Sequence, residues 1–177
     1  MRIYLLLLTL LFMSLSGAAF AQSSPYLTEM AEQWKNSGKY ILDVAGQMPD
    51  SGYAYKPVAD EMRFDEQLLH MASNMLWLSS THLTTQKPPF TDTELKQLNG
   101  KPKQEIIATL RQSLAFAQMA IETIPATDLE QPVKFFAGPK TKRQIINLMH
   151  DHLTHHRAQT IVYLRLNGIK PPSYVGW

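Results

Sequence analysis

From Thr141 to Asn167 the chain runs without a proline or glycine, and Gly168 follows at once, with Pro171-Pro172 just beyond. Thr141 is a good N-cap residue and Asn-Gly a good C-cap signal, so the spacing predicts one unbroken helix of about 40 Å. Four of the six histidines fall on it within seven positions: His150, His152, His155 and His156.

Other segments suit such a helix as partners. Leu27, Met30, Trp34, Ile41, Val44 and Met48 recur at helical spacing after Ser24-Pro25, a capping residue followed by proline at the first helical position, which predicts a first helix over about 25–47. The turn-rich stretch 49–57 ends it. A second helix follows over 63–83, with Phe64, Leu68, Met71, Met75 and Leu78 on its apolar side, and Lys87-Pro88-Pro89 breaks it. A short helical turn fits 92–98, before Asn99-Gly100. The third long helix starts at Pro102, carries Ile106, Leu110, Leu114, Ala117 and Ile121 on one stripe, and stops at Pro125. Segment 126–140 contains Pro132, Gly138 and Pro139 and reads as a structured crossover, with Val133-Lys134-Phe135-Phe136 extended. Four long helices without a strand set predict an all-α fold, a four-helix bundle with a long crossover connection.

Composition narrows the chemistry. A chain of 177 residues with 45% hydrophobic content can bury one sizeable core, so one domain is expected. It has no cysteine, which excludes disulfides, thiolate-ligated metals, iron–sulfur clusters and cysteine nucleophiles. The 17 basic and 15 acidic residues are spread without a basic block, so nucleic acid is not an expected partner.

Residues 1–21 have the order of a secretory signal peptide: Arg2, an apolar run from Ile3 to Leu15, and Ala19-Phe20-Ala21 as the cleavage site. The run is shorter than the roughly 20 apolar residues of a membrane span. Without a cysteine at the cleavage point, a lipid anchor is excluded. The mature domain is then 22–177, exported to the periplasm or secreted, with no stable membrane anchor.

His152 and His156, four residues apart, put two imidazoles on one helix face a turn apart, close enough to meet one ion. At 100° per residue that face also carries Ile145, Leu148, Met149, Gln159 and Tyr163, the stripe that points into a bundle. His150 and Asp151 fall off it, and His155 sits on its flank. A satisfied or surface histidine pair is the alternative. A third ligand would come from a facing helix, where His70 and His82 are the histidines on offer. His70 lies on a polar stripe with Glu66, Gln67, Ser73 and Asn74, which is either a solvated face or the wall of a polar cleft.

The segment Phe64-Asp65-Glu66-Gln67-Leu68-Leu69-His70, the run His152-Leu153-Thr154-His155-His156-Arg157-Ala158-Gln159, then Leu164-Arg165-Leu166-Asn167-Gly168 and Pro171-Pro172 together resemble the DinB-like superfamily of metalloenzymes. The resemblance covers essentially the whole mature chain. It implies three histidine ligands to a divalent ion, one on the second helix and two on the last, falling here on His70, His152 and His156. Ala158 stands where the family run usually has glycine. Members with assigned activities look like transferases that use cytosolic low-molecular-weight thiols, and an exported member would meet few of these.

Three imidazoles leave a coordination position for water or substrate, so zinc or nickel is the expected ion and hydrolysis or thiol activation the expected chemistry on a small-molecule substrate. Glu66, one turn before His70, is the first candidate for a catalytic proton acceptor; a carboxylate complementing the helix dipole is the other reading. Gln159 and Asn74 are placed to orient an imidazole or bound water, and Arg157 to form a structural ion pair. Trp77 shares the face of His70, as pocket wall or as core, and Trp177 is expected to pack against the bundle. A non-catalytic, metal-pinned binding or stress-related module is the alternative function, followed by a metal-free interaction protein. Pairing into a homodimer through an outer helix face fits either.

Overall fold

The computed structural model describes residues 24–177. The signal peptide expected over 1–21 lies outside them. The fold is all-α: α1 (Pro25–Gln47), α2 (Phe64–Leu78), the short α3 (Asp92–Lys96), α4 (Lys103–Thr123) and α5 (Lys142–Leu166). Among the described residues no helix is long and apolar enough to cross a membrane.

The ends of α5 match their sequence signals. Thr141 Oγ1 accepts from Gln144 N (3.2 Å) while Gln144 Oε1 accepts from Thr141 N (2.9 Å), a reciprocal capping box. At the other end Gly168 takes φ 72°, and the bonds Ile169 N to Leu164 O (2.9 Å) and Gly168 N to Arg165 O (3.0 Å) close a Schellman motif. Ser24 makes no side-chain cap, so α1 relies on Pro25 at its start. The second helix is shorter than expected: α-helical pairing ends at Leu78 and Ser79–Leu83 form a wider π turn.

Helix α1 packs on α4 and α5, and α2 packs on the same two. Directions follow from cross-helix bonds. Trp34 Nε1 donates to Leu114 O (3.1 Å) and Lys103 Nζ to Met48 O (2.7 Å), so α1 and α4 are antiparallel. Tyr26 pairs with Asn147 (2.6 Å) and Ser37 with His150 (3.1 Å), so α1 and α5 are parallel. Gln67 meets His156 and His70 meets His152, so α2 and α5 are antiparallel. Helices α2 and α4 therefore run the same way, and the chain between them must return the length of the fold. That crossover is residues 84–102, including α3. The segment 126–140, expected to be the crossover, joins antiparallel α4 and α5 as a small hairpin: Pro132–Val133 (β1) pairs antiparallel with Lys140–Thr141 (β2), and Phe135 and Phe136 lie in the tip rather than in a strand.

Between the helices sits one apolar core containing Trp34, Ile41, Phe64, Leu68, Met71, Ile106, Ile121 and Ile145, each essentially inaccessible. Each such side chain contributes about 1.5–3 kcal/mol on leaving water. One acid is buried with them. Asp65 accepts from Arg63 Nε and a terminal guanidinium nitrogen (2.9 and 2.8 Å), from Glu66 N (2.8 Å) and from Gly100 N (3.0 Å), which ties the crossover to the start of α2. Gly100 has φ 76°, a left-handed conformation that favours glycine there. By fixing the first turn of α2, this clamp also fixes the height of His70.

Candidate metal centre

His70, on α2, faces His152 and His156 on α5, and one ring nitrogen from each lies within 4.8 Å of the other two. His152 Nε2 is 3.0 Å from His70 Nε2. The rings are tilted or edge-on, with centroids 4.4–4.8 Å apart. Partial burial disfavours a charged ring. Desolvation lowers the His70 pKa, and desolvation with mutual repulsion among the neighbouring histidines pushes His152 and His156 down to about 4. All three are therefore neutral at neutral pH, as metal ligands must be.

Gln67 supplies the orientation. Its Oε1 lies 2.7 Å from His156 Nδ1, its Nε2 donates to the Tyr163 hydroxyl (3.4 Å), and that hydroxyl donates to Met62 O (2.9 Å). The amide oxygen can only accept, so Nδ1 carries the proton and Nε2 offers its lone pair to the site. Gln67 is almost fully buried, which settles its part of the polar stripe as interior. The signal for this residue was its place on the polar stripe of α2, one helical turn before His70.

The other histidines are elsewhere. His150 points to α1, against Ser37 (3.1 Å) and near Trp34. His155 is exposed and approaches Gln159 Nε2 (3.3 Å). His82 sits with Trp77 and Phe135 beyond the end of α2. Gln159 thus contacts His155, outside the cluster, while its amide also lies beside His156 and raises that ring's pKa; its Oε1, like Asn74 Oδ1, is buried without a close hydrogen-bond partner.

A cleft of about 290 Å³ opens beside His70, lined by Glu66, Ser73, Asp92, Leu95 and Lys96. The Glu66 carboxylate is engaged at the N-terminus of α2, with Oε2 accepting from Arg63 N (2.8 Å), and it lies outside the three-residue cluster. On the far wall Asp92 accepts from Ser73 Oγ (3.1 Å) and pairs with Lys96 (2.6 Å).

Four expectations are corrected. Arg157 forms no ion pair among the described residues: it is buried with its guanidinium 4.9 Å over the Tyr40 ring and one terminal nitrogen unpartnered. Leu148 is 38% exposed, at the edge of a stripe whose Ile145, Met149 and Tyr163 are buried. Trp177 is 60% exposed, and Trp77, at 43%, is not core.

The DinB family profile matches residues 19–176. Similar solved structures include a DinB-like protein from Bacillus subtilis (TM-score 0.66, 18% identity, 82% of this chain and 96% of that one). A DinB family member from Exiguobacterium sibiricum matches with TM-score 0.64 and 16% identity over 85% of this chain and 97% of its own. A DinB-like protein from Bacillus cereus matches with TM-score 0.62 and 16% identity over 82% and 95%. At these identities the likeness shows the fold alone. No curated protein matches. With its family profile spanning nearly the whole chain, the protein belongs to the DinB family.

Proposed function

We propose that the protein is a divalent-metal-dependent enzyme of hydrolase or thiol-transferase type, with His70, His152 and His156 as ligands and a small molecule as substrate. The observation that supports this most is the convergence of three neutral imidazoles from two helices beside an open cleft. The donor set suits zinc or nickel, and an ion with three imidazole ligands keeps a position for substrate and brings the pKa of a bound water down to about 7. The chain's own residues do the rest. Gln67 holds the His156 tautomer, burial keeps the rings unprotonated, and Glu66 is the proton acceptor once it exchanges its bond to Arg63 N for one to substrate. Export, carried by the leader, favours hydrolysis over the use of a cytosolic thiol.

The second reading is a metal-pinned module without turnover, and the engagement of Glu66 at the start of α2 favours it. Cobalt substitution tests the two. A visible spectrum that shifts on adding acetohydroxamate marks an exchangeable position and supports the enzyme. A tetrahedral spectrum indifferent to acetohydroxamate supports the pin.

A further inference from the structure

Trp77 stands seven residues beyond His70, so it projects within about 20° of the same face of α2 and about 10 Å further along it. On antiparallel α5 the same direction leads from His152 to Leu148, one turn away. The two exposed side chains therefore extend the rim of the histidine cluster toward one end of the fold. There Trp77 stacks on Phe135 (6.0 Å, 28° between planes) and Phe136 (6.4 Å, 25°), and the phenyl rings lie 4.4 Å apart. The stack leaves Trp77 43% and Phe136 84% exposed, so an ordered aromatic surface faces solvent instead of core. Between this surface and the histidines lies Asn74, one turn beyond His70, with Oδ1 buried and unpartnered.

We propose that Trp77, Phe136 and Leu148 form a tail subsite continuous with the metal centre, which takes the aromatic end of an elongated amphiphilic small molecule. Its polar head lies at His70, His152 and His156. This rests on the metal-centre reading above. The subsite is built for a small molecule: three side chains fall far short of the roughly 800 Å² that each partner buries in a stable protein interface. Stacked rings also favour a flat apolar group.

The test uses zinc-loaded protein and three probes: acetohydroxamate as head alone, phenylhexanohydroxamate as head and tail, and phenylhexanol as tail alone. The tail should tighten hydroxamate binding about tenfold. Trp77→Ala and Phe136→Ala should each remove most of that gain without changing acetohydroxamate affinity or the thermal midpoint, and Trp77→Phe should keep it. Equal affinity for the two hydroxamates, or a gain that survives both alanine variants, overturns the proposal. Phenylhexanol separates the failures. If acetohydroxamate does not bind, the open metal position is wrong, and phenylhexanol binding lost in Trp77→Ala still supports the subsite, whereas no phenylhexanol binding to the wild type overturns it.

Discussion

Gln67 Oε1 accepts from His156 Nδ1 across 2.7 Å of buried space, and the Tyr163 hydroxyl holds the other end of the same amide. A side chain on α2 thus decides which nitrogen of a histidine on α5 faces the three-histidine cluster. The relationship couples the packing of two helices to the chemistry between them.

Breaking that link should weaken metal binding without removing a ligand. Gln67→Met, which keeps the volume but loses the acceptor, is expected to lower zinc affinity about 10–100-fold. Gln67→Glu should restore or exceed wild-type affinity, since a carboxylate accepts the same proton. Competition titration with a zinc chelator measures both, and nitrogen chemical shifts of His156 report its tautomer directly. An unchanged affinity in Gln67→Met would remove Gln67 from the site.

The ligand set predicts a sharp division among the histidines. His70→Ala, His152→Ala and His156→Ala should each lose most of the bound divalent ion, because three donors act together. His82→Ala and His150→Ala should retain it, as their rings lie in the aromatic cluster and against Ser37. Metal analysis of protein purified without a histidine tag decides, and equal losses at His82 or His150 contradict the assignment.

Acid should destabilise the metal-free protein. Burial lowers the pKa of His70, His82, His150, His152 and His156 below the ordinary 6.5, and holds His152 and His156 near 4. Between those values the unfolded chain binds more protons than the folded one, so stability is fully present above about pH 6.5 and falls as pH drops towards 4. The thermal midpoint of the metal-free protein should therefore decline through this window. Replacing His152 and His156 with glutamine should flatten the decline; a slope that stays the same would place its origin elsewhere.

The carboxylate clamp should be worth more than its surface neighbours. Asp65→Ala strips acceptors from Gly100 N, Glu66 N and Arg63 together and is expected to cost about 3 kcal/mol. Asp43→Ala, which removes one arm of an exposed pair with Lys39, should cost under about 1 kcal/mol. Urea denaturation distinguishes them, and similar values would show that Asp65 does not secure the crossover.

Much of the molecule was legible along the chain because helices are local objects. Caps, proline breaks and the 3.6-residue period are properties of neighbouring residues, so α1, α4 and α5 and the inward turn of His152 and His156 could be read from the sequence. Resemblance supplied His70, which periodicity left between two faces. Tertiary structure decided whatever depends on residues far apart. Which connection spans the fold follows from α2 and α4 running parallel, a fact that Asp65 and Gly100 record 35 positions apart. The burial of Gln67, the position of Arg157 over Tyr40 instead of beside an acid, and the exposed stack of Trp77 on Phe135 and Phe136 all arise where two elements meet. Hydrophobic period alone could not separate the seam of the bundle from its rim, because residues 40° apart on one helix differ in burial only through the partner that covers them.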